Sequence, residues 1–268
     1  MVAAPALTSN DSVVLNKIFD PESAPSAGVL VDPSLPSDPN VESPEVLVAI
    51  RKEEKEIIQQ LESVLKTSIP QSHKGRQALS EAYAHISTLI VSHPKSAALR
   101  NDRVQVFRLH YGDNTIIPTE DSALRPDIAF KTVCALSDLS EAIQLMSPPT
   151  PQTPISPHQC RILAQAYTQR GAMFHQASKT LAEKGDAGGV ISEAELAYFK
   201  ELGGWQVIDF EEAASRDFFM GGRYGNEIGK ALAVHTNPTA KLCGQIVQEA
   251  MRKEFMPAKV EEPLIQTD

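Results

Sequence analysis

The residues able to do chemistry are scattered, and their spacing argues against most catalytic sites. Seven histidines stand at 73, 85, 93, 110, 158, 175 and 235, and none forms a His-Glu-x-x-His pair, so a helix-borne zinc hydrolase site is not encoded. Neither a Gly-x-Ser-x-Gly elbow nor a phosphate-binding P-loop occurs. Gly222, Gly225 and Gly229 resemble a glycine-rich phosphate loop, but no strand is expected before them and no Lys-Ser or Lys-Thr follows. They read as a helix break, with Gly221 and Gly222 ending one helix. Asp186 and Glu193 are too few carboxylates for a calcium loop. Cys134, Cys160 and Cys243 are odd in number, far apart and without an adjacent histidine, so they read as inert thiols of a reducing compartment. The expectation is a chain with no catalytic residues, no metal and no cofactor. Ser147-Pro148, Thr150-Pro151, Thr153-Pro154 and Ser156-Pro157 could accept phosphate from proline-directed kinases, though a plain extended spacer is the simpler reading.

The frame for these residues comes from composition. The chain has 268 residues, 25 basic and 34 acidic, for a net charge of −9. That charge repels phosphate backbones, so no nucleic-acid partner is expected. No run of 18 apolar residues occurs, and the N-terminus has neither basic nor apolar signal regions, so no membrane partner is expected either. The cytoplasm, and the nucleus with it, is the expected location. Residues 1–44 hold seven of the 19 prolines and six acids against one base, and read as a flexible acidic tail. Within that tail Asn10 to Ser12 can cap a short apolar helix at 12–19, built from Val13, Val14, Leu15, Ile18 and Phe19. Such a segment cannot bury its stripe alone and must dock on the body or on a partner.

From Glu45 the apolar residues recur every three to four positions, which predicts an all-α body over 45–256 and a short tail over 257–268. Helices are expected at about 45–68, 78–91, 97–111, 127–146, 159–184, 191–202 and 205–219. Asn237-Pro238 opens a final capping helix, with Asn at N-cap and Pro at N1. Residues 112–126, 147–157 and 176–203 read as insertions.

A small, large, small pattern recurs where second helices of hairpins are expected. Ala135, Leu139 and Ala142 fit it; Ala82, Ile86 and Leu89 fit less closely; Phe210 and Ala213 are assigned to a third copy. The small residue lets two backbones approach, and the large one fills the gap to the next hairpin. First helices carry Arg103 and Arg170 at matching places, and the assigned second helices carry Asp138 and Asp209 just before a large apolar residue. Ion pairs Arg103–Asp138 and Arg170–Asp209 are therefore expected to fix each hairpin. Copy spacings of 53 and 71 residues exceed the roughly 34 of a tetratricopeptide repeat. Val104 and Gln206 also stand where small residues are expected.

On these residues the body resembles a tetratricopeptide-repeat superhelix of three helix pairs. Val14 to Pro21, Tyr167 to Gly171, Asp209 to Ala214 and Asn237 to Cys243 resemble segments of the tetratricopeptide repeat protein 36 family, in a fungal form. That resemblance implies a non-catalytic protein-binding role, association with heat-shock-70-type chaperones, and protection of a dioxygenase of tyrosine breakdown. It also implies a groove lined by first helices. Its candidate partner-binding residues here are Asn101, Gln105, Arg108, Thr168, Gln169 and His175, with Asn101 the counterpart of a carboxylate-clamp asparagine. The competing readings are a structural subunit docking through the 12–19 segment and an enzyme on an unfamiliar helical fold. The second is disfavoured because no acid, base and nucleophile converge.

Overall fold

A computed structural model describes residues 29–41, 43–117, 126–184, 202 and 204–255. The expected helices at 12–19 and 191–202, apart from Leu202, and the 257–268 tail lie outside the described residues. Among the described residues eight helices follow one another: α1 Pro44–Leu65, α2 His73–Ser92, α3 Ala97–Tyr111, α4 Pro126–Met146, α5 Pro157–Glu183, α6 Val207–Arg223, α7 Glu227–Thr236 and α8 Pro238–Phe255. Among the described residues there is no strand, only an isolated parallel bridge between Val31 and Ile155.

Local chemistry sets the boundaries. Ser43, Ser72 and Ser96 cap α1, α2 and α3 by accepting from the backbone N–H three residues on. Ser156 and Gln159 close a reciprocal capping box on α5. Asn237 accepts from the backbone N–H of Thr239 and Ala240 at the head of α8. Gly112, at φ 80°, ends α3 in a conformation that side chains with a Cβ resist.

Consecutive helices lie against each other throughout, and α3 also meets α5, as α5 meets α7. The result is a row of helix hairpins in which the first helices α3, α5 and α7 touch in turn. One core joins α1 to α3 through Ile50, Leu79, Ile86 and Leu99. A larger one runs from α3 to α6 around Phe107, Leu139, Leu163 and Phe210. Ala214, Phe218 and Ala233 form a third between α6 and α7.

Several expectations change. α6 continues through Gly221 and Gly222, and only Gly225, at φ 96°, lies in the break. Here glycine serves helix contact: a Cβ on Gly222 would stand 2.8 Å from Lys230 Cα, so α7 can come this near only because the side chain is missing. Two helices, α7 and α8, therefore follow the third hairpin rather than one cap.

The proline-rich stretches are also more ordered than expected. Residues 29–41 of the expected flexible tail are held to the 147–157 segment. Asp32 N–H donates to Ile155 O, Ile155 N–H to Leu30 O, both at 2.9 Å, and Asn40 Nδ2 donates to Leu145 O at 2.9 Å. Ile155 is 1 % exposed and Ser156 is buried, so this part of the linker is core, not spacer. α5 runs into the expected 176–203 insertion as far as Glu183, and there Thr180 Oγ1 donates to Asn114 Oδ1 of the 112–117 turn at 2.9 Å. Ile116 and Ile117 of that turn are buried as well.

Candidate interaction cleft

α3 and α5 cross closely enough for their exposed edges to enclose a cleft of about 440 Å³. Gln105, Arg108 and Leu109 line it from α3, Gln165, Thr168 and Gln169 from α5, Gly112 and Asp113 from the turn after α3, and Asn226 from the head of α7. Four of the six expected partner-binding residues thus come together here. Asn101 and His175, expected with them, do not line this cleft.

Asn101 is 1 % exposed and spans the α3–α5 seam, its Nδ2 donating to Ile162 O at 3.0 Å. It lies on the face of α3 that carries buried Ala97 and Val104, so the crossing helix α5 covers it. His175 lies two turns beyond Thr168, edge-on to Phe218 with ring centroids 6.2 Å apart. Burial lowers its pKa, with the ammonium groups of Lys179 and Lys241 acting in the same direction.

The cleft is polar but carries little free charge. Arg108 is gripped through both Nε and Nη2 by Asp113, the second contact at 3.0 Å. Thr168 Oγ1 donates to Ala164 O at 2.7 Å within its own helix. Gln169 is buried; its Nε2 reaches Asn101 O at 3.4 Å while its Oε1 has no protein partner. The walls therefore offer the carboxamides of Gln105, Gln165 and Asn226 and one apolar contact in Leu109, while the unpartnered Gln169 Oε1 is buried beneath them. Among the described residues no group of three or more His, Cys, Asp or Glu side chains could hold a metal ion. No helix among them is long and apolar enough to cross a membrane.

Behind the cleft two arginines lock the hairpins. Arg103 binds Asp138 through Nε at 2.7 Å and Nη2 at 2.8 Å, and also donates from Nη1 to Ser87 Oγ on the preceding hairpin at 3.3 Å. Arg170 binds Asp217 in place of the expected Asp209, through Nε at 2.7 Å and Nη2 at 2.8 Å, and donates to Ser140 Oγ at 3.1 Å. Asp209 instead accepts from the Gln206 backbone N–H at 2.7 Å and caps the start of α6. The third copy of the repeat is accordingly Ala214, Phe218 and Gly221, all buried, with Asp217 just before Phe218 as Asp138 stands just before Leu139. Arg100 was not anticipated. It adds a second guanidinium to Asp138 at 2.8 Å and reaches Glu141 at 2.8 Å. Its place one turn before Arg103 on α3 was the available signal.

Comparison with known proteins yields no matching family model and no matching solved structure. The L-tyrosine degradation gene cluster protein hmgX of Aspergillus fumigatus is 37 % identical over 252 residues, which cover 93 % of this chain and 94 % of that protein. At that identity and coverage the two chains share one family, and this protein belongs to the family of the L-tyrosine degradation gene cluster protein hmgX.

Proposed function

We propose that the protein is a non-catalytic binding protein of tyrosine breakdown, holding a polypeptide segment of a partner in the α3–α5 cleft on a tetratricopeptide-repeat-type row of hairpins. The observation that carries this reading is the cleft itself, where neighbouring first helices present Gln105, Arg108, Thr168 and Gln169 together. The repeat-type architecture is supported by Arg103–Asp138 and Arg170–Asp217, which recur with the same bonds in successive hairpins. The link to tyrosine breakdown rests on the relative's name and agrees with the resemblance read from the sequence.

The chemistry of the walls narrows the partner. With Asn101 buried and Arg108 closed on Asp113, the described residues of the cleft offer no free cation for the acidic tail of a heat-shock-70-type chaperone. Its carboxamides suit an uncharged segment whose N–H groups meet the acceptors, as an enzyme loop provides. We therefore favour an enzyme of tyrosine breakdown over a chaperone as partner. Affinity capture from lysate of tyrosine-grown cells tests this with wild type and a Gln105→Trp/Gln165→Trp bait whose indoles fill the cleft. Recovery of a tyrosine-catabolic enzyme with wild type and its loss with the variant are expected. Equal recovery on both baits, or of no such enzyme on either, refutes the reading.

A further inference from the structure

Five Ser-Pro or Thr-Pro pairs occur in the chain, beginning at Ser43, Ser147, Thr150, Thr153 and Ser156, and all five lie among the described residues. Each offers a proline-directed kinase a hydroxyl followed by a residue without an N–H. Such an enzyme must seat several consecutive residues in extended form, so that the hydroxyl lines up with the γ-phosphorus of ATP. We propose that Thr150 is a phosphorylation site of the folded protein, and that the fold closes the other four hydroxyls to the same kinase.

The four are closed in different ways. Ser156 is buried; its Oγ accepts from the Gln159 N–H at 3.2 Å and donates to Ser37 O at 3.2 Å, and Pro157 already opens α5. Thr153 is partly buried, and Ile155 and Ser156 follow its proline. Ile155 is in the core, with its N–H on Leu30 O and its carbonyl on the Asp32 N–H, so seating Thr153 would pull a buried side chain into water. Ser147 continues the end of α4: its N–H and its Oγ both donate to Ile143 O, at 2.9 and 2.7 Å, and Met146 before it is buried. Ser43 is the N-cap of α1, so its proline and the residues beyond are helical.

Thr150 has none of these ties. Pro149, Thr150, Pro151 and Gln152 are all exposed, and none belongs to the three cores. Among the described residues Thr150 is held only within one turn, closed by Thr153 N–H on Thr150 O at 3.0 Å, with the two hydroxyl oxygens 2.9 Å apart. Opening that turn leaves a run in which Pro148, Pro149 and Pro151 favour extended backbone. In the transfer, Thr150 Oγ1 bonds to the γ-phosphorus as the bond to the β,γ-bridging oxygen breaks. ADP leaves, and the hydroxyl proton passes to the kinase's carboxylate base. The esterified Oγ1 can still accept from the Thr153 hydroxyl. The product places about −1.5 to −2 charges on the exposed link between α4 and α5 without touching a core.

The test compares the purified full chain with synthetic peptides 38–50 and 144–160. All are incubated with magnesium ATP and one proline-directed kinase, chosen because it modifies both peptides, and each site is timed by mass spectrometry. Thr150 in the chain is expected to react within about tenfold of its rate in the peptide, the weight of one turn hydrogen bond. It is also expected to carry the first phosphate taken up, and Thr150→Ala is expected to remove that fast uptake. The proposal is overturned if the folded chain withholds Thr150 while the peptide gives it up. It is equally overturned if any of the other four hydroxyls of the chain reacts as fast as Thr150.

Discussion

Arg170 closes on Asp217 with the same pair of bonds, 2.7 Å from Nε and 2.8 Å from Nη2, that Arg103 makes to Asp138 one hairpin earlier. Each arginine also reaches back to a serine of the preceding hairpin, Ser87 or Ser140, so one side chain ties three helices together. Removing the carboxylate leaves a half-buried guanidinium without its counter-ion, which costs up to about 3–5 kcal/mol. Asp217→Ala and Asp138→Ala are expected to lower the urea midpoint by that equivalent. Asp209→Ala, which removes only a cap, is expected to cost about 1 kcal/mol. Equal losses for Asp209 and Asp217 would contradict the assigned register.

Helix contact at α6 rests on missing side chains. A Cβ on Gly221 would collide with Thr168 Oγ1, and one on Gly222 would stand 2.8 Å from Lys230 Cα and 2.9 Å from its N. Backbone cannot yield cheaply, so Gly222→Ala is expected to destabilise by about 1–3 kcal/mol in urea denaturation. Gly244→Ala in α8 meets nothing within 4 Å and is expected to raise helicity measured by circular dichroism, in keeping with a gain of about 1 kcal/mol in helix propensity.

Stability should fall as pH rises because of Asp102. Burial, and next to it the Glu54 carboxyl, push its pKa up to about 9. The folded protein then holds a proton that the unfolded chain has released above about pH 4. Unfolding free energy therefore decreases from about pH 4 to about pH 9, by at most about 1.4 kcal/mol per pH unit. Asp102→Asn is expected to raise the urea midpoint at pH 8 and to flatten its dependence between pH 6 and 8. A steeper decline in the variant would contradict this.

The helix series and Arg103–Asp138 were legible in the sequence because both rest on local rules: three-to-four spacing, Ser and Asn caps, and an arginine facing an aspartate across a hairpin. The third copy was misread because Asp209-Phe210 and Asp217-Phe218 present the same dipeptide eight residues apart. Treating Gly221 as a stop hid it as the small residue of Ala214, Phe218 and Gly221. Asn101 was placed in the groove as the counterpart of a carboxylate-clamp asparagine, and only the crossing of α5 buries it. The order of residues 29–41 was hidden for a related reason. Val31 meets Ile155 across 124 positions, a contact that no local pattern encodes.

The central claim is that the α3–α5 cleft holds a partner from tyrosine breakdown. Calorimetric titration of the purified enzymes of that pathway, one at a time, into this protein tests it most directly. The account predicts that at least one binds and that Gln105→Trp/Gln165→Trp weakens it at least about tenfold, equivalent to about 1.4 kcal/mol. Binding that the filled cleft leaves unaltered, or no binding by any of the enzymes, would contradict it.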